Sequence, residues 1–151
     1  IQHPDCVCAV RCHLLRFDST GNPLPYKRWK REQSEYVNVP LMGLVSTSGA
    51  GTLYPPHCMS DHLFDRQIIC SACLNADDLW LKTMQILQGT KTVQIAPNRP
   101  LRYVEGSQQD ALWHANVDGS GNDVQLAELQ KLYGNCWSKT SIELFDRGFA
   151  R

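Results

Sequence analysis

A chain of 151 residues, 42% hydrophobic and 20% charged, is long enough to bury a core of its own and reads as one domain or a large piece of one. Lysine plus arginine equals aspartate plus glutamate at 15 each, so no overall field draws the chain to nucleic acid or anionic lipid; neutral small molecules or carbohydrates fit better. Its apolar runs are a few residues long, against the roughly 20 that a bilayer crossing needs, so no transmembrane segment is expected.

The chain opens on Ile1 without a basic and apolar leader and is expected to be part of something longer. Its seven cysteines are an odd number and no Asn-x-Ser/Thr acceptor occurs, which suits a reducing, cytoplasmic interior. Residues 7–10 and 13–17 read as strands, broken by Arg11-Cys12 and followed by a turn through Asp18, Gly21 and Pro23. Residues 24–31 are basic, with Tyr26 and Trp29 interleaved, but Glu32 and Glu35 follow closely. A solvated face describes that pattern better than a nucleic-acid patch.

Residues 41–52 read as a small-residue loop before Leu53-Tyr54-Pro55-Pro56, with Gly49 and Gly51 suited to a tight turn or to close approach by a ligand. A nucleotide phosphate loop would continue into a helix with a Lys-Ser/Thr ending, and Pro55-Pro56 argue against that. Leu63, Phe64, Ile68 and Ile69 predict a short amphipathic helix over 60–70. A second helix, capped by Asn75 or Asp77, starts near Ala76 and stops at Gly89, with Leu79, Met84 and Leu87 at helical spacing. The alternating strand 91–95 follows, so helix feeds strand as in an α/β layer.

Residues 98–106 read as a loop and 107–114 as a short helix capped by Ser107. Asn122 with Gln125 has the form of a capping box that opens a helix through Tyr133, its narrow apolar face made by Leu126, Leu129 and Leu132. The tail from 137 to 149 predicts one more short helix.

Asp77-Asp78 is the pair with the most chemistry. Acidic residues in a first turn are favoured by the helix dipole, which explains them without function. The sharper alternative is a carboxylate fixed on a rigid helix start, with Trp80 beside it, that takes a proton from a substrate hydroxyl. A structural zinc would need Cys70-x-x-Cys73 completed by two of Cys6, Cys8, Cys12, His13, His57 and Cys58; one such pair is a weak signal, and buried thiols explain it as well. Cys12-His13 and His57-Cys58 are adjacent only in sequence, and strand neighbours point to opposite faces, which does not make a thiol–imidazole pair. No Gly-x-Ser-x-Gly elbow and no His-Glu-x-x-His helix occurs.

The order Cys12-His13, Phe17-Asp18, Gly21, Leu24-x-Tyr26-x-x-Trp29, then Gly51-x-Leu53-Tyr54-Pro55-Pro56, then Ala76-Asp77-Asp78-Leu79-Trp80-Leu81-Lys82 and Gly89-Thr90-Lys91, resembles bacterial glycosyltransferase-like proteins of GT-A fold, of the capsular or surface-polysaccharide type. Gly106-Ser107-Gln108, Leu112-Trp113 and Asn122-Asp123-x-Gln125-Leu126 resemble that family's closing segments. The resemblance implies an α/β, Rossmann-like fold of mixed short strands with several helices, of which this chain is the C-terminal, acceptor-side half. It implies a nucleotide sugar as donor, a glycan as acceptor, and a divalent metal, manganese or magnesium, on the donor diphosphate; no Asp-x-Asp motif for that metal occurs in these residues.

By the same resemblance Asp78 is the general base and Asp77 its neighbour and alternative. Adjacent helix residues point roughly 100° apart, so one of the two is expected to face the substrate. Gly49 and Gly51 then form the loop under the acceptor, Trp80 or Trp113 stacks on a sugar face unless it packs in the core, and His114 is the candidate metal ligand. The alternative of another class is a non-catalytic carbohydrate-binding or zinc-stabilised module in which Asp77-Asp78 only starts a helix.

Overall fold

The computed structural model describes residues 2–106 and 114–141. Strands β1 (Val7–Ala9), β2 (Cys12–Leu14), β3 (Leu44–Ser46) and β4 (Thr52–Leu53) come first, then helices α1 (Arg66–Ala72) and α2 (Asp77–Gln88), strand β5 (Thr92–Gln94) and helix α3 (Gly121–Leu132). β1 is the middle of a mixed three-stranded sheet, antiparallel to β4 with Cys8 opposite Leu53 and parallel to β5 with Cys8 opposite Val93. A parallel pairing needs a long crossover, and this one carries α1 and α2. β2 and β3 pair separately and antiparallel, His13 opposite Val45. The architecture is mixed α/β, built of short strands and several helices.

Most predicted elements are present, with instructive departures. The segment read as a loop over 41–52 contains β3, whose three residues are all buried, Leu44 at 0% exposure and Val45 at 1%. β3 packs against α2 and β5, and a strand covered in this way shows no polar alternation. The predicted helix over 60–70 is divided: a 3-10 turn, Asp61–Phe64, precedes α1, which Asp65 caps by accepting from Ile68 N at 3.0 Å. Of the helix expected over 107–114, residues 107–113 lie outside the described residues, as does the tail beyond 141.

α2 stops where its glycine predicts. Gly89 adopts φ +80, which only glycine takes cheaply, and Thr90 N donates back to Gln85 O at 2.9 Å. Neither predicted side-chain cap forms: α2 begins after Ala76 and α3 after Ser120, both without a capping side chain. Gln125 donates to Gly121 O within α3 and accepts Asn75 N at 3.0 Å, so the amide expected to close a capping box ties α3 to the start of α2.

The core lies between α2, α3 and the β2–β3 pair, with Leu15, Leu41, Leu44, Leu79, Met84 and Leu129 fully buried. α2 also buries Lys82, Thr83 and Gln85, whereas Leu87, expected on its apolar face, is partly exposed. Lys82 Nζ donates to Thr92 Oγ1 at 3.2 Å and Thr92 donates on to Gln85 Oε1 at 2.9 Å, which fastens α2 to β5. Trp137 is completely buried and donates its indole N–H to Thr83 Oγ1 at 2.9 Å. Trp137→Ala should lower unfolding free energy by about 3–5 kcal/mol, read as a fall in the urea midpoint.

Candidate active site

The first turn of α2 opens into a cavity of about 200 Å³ lined by Tyr26, Thr47, Asn75, Asp77, Asp78, Asn116 and Asn122, with Val45 and Leu79 as apolar floor. Four separate stretches of chain deliver these groups. Thr47 follows β3 and accepts from Arg11 Nη1 at 2.8 Å; Arg11 also pairs with Glu32. Tyr26 is held by its backbone N–H, which donates to Asp123 Oδ1 at 2.7 Å in the first turn of α3. Asn116 sits in a π-helical turn, His114–Asp118, and its Nδ2 donates to Asn75 O. Asn75 is thereby clamped on both sides of its backbone, and with it the residue pair that starts α2.

Asp78 is half-buried and Asp77 exposed, and both are among the residues that line the cavity. Both carboxylates stand in the first turn of α2, whose N-cap, Ala76, offers no capping side chain. Gly49 and Gly51 are not among the lining residues, which on that side end at Thr47. Gly51 takes φ +99 and its carbonyl accepts from Val10 N at 3.2 Å; its glycine answers to backbone geometry beside β1.

Trp80, expected as a sugar platform or as core, is core: it is 4% exposed and its indole N–H donates to Leu63 O at 3.0 Å. That leaves no open ring face for a sugar. Trp113 lies outside the described residues, and for His114 the description covers the backbone alone. Tyr26, Thr47, Asn116 and Asn122 were not singled out as site residues from sequence. The signal in the sequence is the motif Leu24-x-Tyr26-x-x-Trp29 for Tyr26, while the spacing of Asn122 and Gln125 points only to a helix cap.

Around the cavity the charges are arranged by burial. His13, opposite Val45 in the β2–β3 pair, accepts Glu32 N at Nδ1 (3.0 Å), and burial, reinforced by Arg11, pushes its pKa down to about 4. It is neutral near pH 7. Tyr26 is pushed up to about 12, by burial first and by the Asp78 carboxylate second. The hydrogen bond from Arg11 holds Glu32 below its usual range.

Among the described residues no three His, Cys, Asp or Glu side chains converge on a point where a metal ion would be held. Cys70 is exposed whereas Cys73 is buried, donates its S–H to Ala76 O and is pushed up to about 12 by desolvation, the setting of a core thiol. No helix of the described residues is long and apolar enough to cross a membrane. No protein-family model, no curated protein and no solved structure matches the chain significantly.

Two measurements test this environment. An unfolded histidine titrates near about 6.5, so between there and 4 the unfolded chain binds a proton that folded His13 refuses. The stability contributed by neutral His13 is complete above that window and drains as pH falls through it, by up to about 1.4 kcal/mol per pH unit. Urea unfolding between pH 7 and pH 4.5 should show the decline, and His13→Gln should flatten it. With a thiol-reactive dye on the native protein, the fast phase should belong to exposed Cys70 and vanish in Cys70→Ser, with buried Cys12 and Cys73 reacting only on unfolding.

Proposed function

We propose that the chain is the acceptor-side part of a nucleotide-sugar-dependent glycosyltransferase of GT-A type, moving a sugar onto a hydroxyl of a glycan, with Asp78 as general base. The observation that carries this reading is the cavity at the start of α2, where two carboxylates meet a phenol, a hydroxyl and three amides. Such a lining suits a polyol: each sugar hydroxyl both donates and accepts, and amides, hydroxyls and carboxylates answer both needs. The mixed α/β fold and the sequence resemblance agree with it.

In the reaction the acceptor oxygen forms a bond to the anomeric carbon while its proton passes to the Asp78 carboxylate. The bond from the anomeric carbon to the phosphate oxygen breaks, and its electron pair leaves with the nucleoside diphosphate. Asp78 is the better placed of the pair: half-buried on α2, it is held more rigidly than exposed Asp77 and is less screened by water. A divalent cation belongs to this chemistry by resemblance, supplying charge stabilisation at the departing diphosphate. The described residues do not by themselves make a site for it, and no step above runs through it.

The full-length protein would be assayed with UDP-glucose, UDP-galactose, UDP-N-acetylglucosamine and GDP-mannose, each against the methyl glycosides of glucose, galactose and mannose. Transfer should fall by about 10²-fold or more in Asp78→Asn and survive in Asp77→Asn. Full activity in both variants removes Asp78 as the base. Sugar binding without transfer by the wild-type protein makes it a carbohydrate-binding module instead.

A further inference from the structure

We propose that Tyr26 contacts the substrate in this site, its phenol holding the acceptor hydroxyl from one side while the Asp78 carboxylate receives the hydrogen on the other. This rests on the transferase reading above and adds a residue that the reading does not need. Tyr26 and Asp78 line the same small cavity and come from segments far apart in the chain. After burial, the charge of the Asp78 carboxylate contributes to the raised pKa of the Tyr26 phenol.

Tyr26 is held more firmly than packing alone requires. Its backbone N–H is fixed to Asp123, its ring meets the edge of His13 at 5.8 Å, and Trp29 lies 4.7 Å away, ring centre to ring centre. Trp29 is itself pinned by its indole N–H to Leu24 O at 2.7 Å and rests against Trp137. A ring fixed in this way presents its oxygen without ordering cost when a ligand arrives.

The protonation states suit the assignment. The high pKa of Tyr26 keeps its O–H a donor at any pH where a carboxylate can act as base, and His13 beside it is neutral. Arg11 and Arg31 also act on the phenol, each with the opposite sign to Asp78, and Arg11 is engaged with Glu32 and Thr47.

An attacking hydroxyl has one hydrogen and two lone pairs. With the hydrogen directed to Asp78 and one lone pair accepting from Tyr26, the remaining lone pair is the one that meets the anomeric carbon. The acceptor class that follows is an uncharged sugar hydroxyl, since two neighbouring carboxylates repel a uronate or phosphate at that position.

Tyr26→Phe keeps the ring and its contacts with His13 and Trp29 while removing the phenol oxygen. The full-length protein and this variant would be compared in transfer to the methyl glycosides above, with the acceptor and the nucleotide sugar each varied in turn. The expected result is an acceptor kcat/KM about tenfold lower, carried mainly by the acceptor KM, with the KM for the nucleotide sugar unchanged. Unchanged transfer overturns the assignment. So does a fall carried by kcat together with a raised nucleotide-sugar KM, because that is what lost packing of the whole site produces. If the wild-type protein transfers no sugar at all, the transferase reading itself fails, a result distinct from either outcome for Tyr26.

Discussion

The burial of Trp137 is the constraint on which the arrangement depends. An indole enclosed without water must find an acceptor for its N–H, and Thr83 on the inner face of α2 supplies it at 2.9 Å. Thr83 donates its own hydroxyl to Leu79 O one turn back, which holds the Thr83 side chain, and with it the acceptor of the indole, against α2. With α2 held to Trp137, the direction of Asp77 and Asp78 at its start is settled. Trp29 rests on Trp137 with centroids 5.9 Å apart, Tyr26 on Trp29, and His13 against Tyr26. A row of rings therefore runs from the C-terminal segment to the wall of the cavity.

Short strands give little ladder energy, and the interior compensates with side-chain hydrogen bonds. Gln94 in β5 is fully buried; it accepts from Gln33 and donates to Val10 O and Ala96 O, while Gln33 accepts the N–H groups of Glu35 and Tyr36. Thr92, two residues earlier, joins Lys82 and Gln85 of α2. These contacts are costly to leave half-made, so they specify one register for β5 against α2 and against the irregular segment after β2. The apolar floor of the cavity rests on this arrangement, since Leu79 comes from α2 and Val45 from β3, which packs against both α2 and β5.

The polar state of the site follows from the same packing. Burial and Asp78 keep the Tyr26 phenol protonated, burial keeps His13 neutral, and the first turn of α2 brings two carboxylates to the same cavity. The cavity thus holds fixed negative charge beside neutral donors, a polarity suited to withdrawing a proton from a hydroxyl and poorly suited to binding an anion.

The sequence by itself determined the local elements whose causes are local. Glycine at 89 ends α2 because only glycine takes that backbone angle cheaply; β-branched and apolar runs place β1, β2 and β5; and Asp77-Asp78 marks a helix start through the dipole. The tertiary structure decided what depends on partners distant in the chain. β3 was invisible as a strand because it is covered rather than alternating, and Lys82, Thr83 and Gln85 are buried on a helix that the sequence makes polar at those positions. Gln125 bonds to Asn75 instead of closing a cap, and Trp80 goes to the core instead of a sugar face, since each finds a partner some seventeen or more residues away that the local pattern does not contain. The membership of the cavity was decided in the same way: Tyr26, Thr47, Asn116 and Asn122 meet Asp78 only after Trp137 and the buried amides have fixed the helices and strands that carry them.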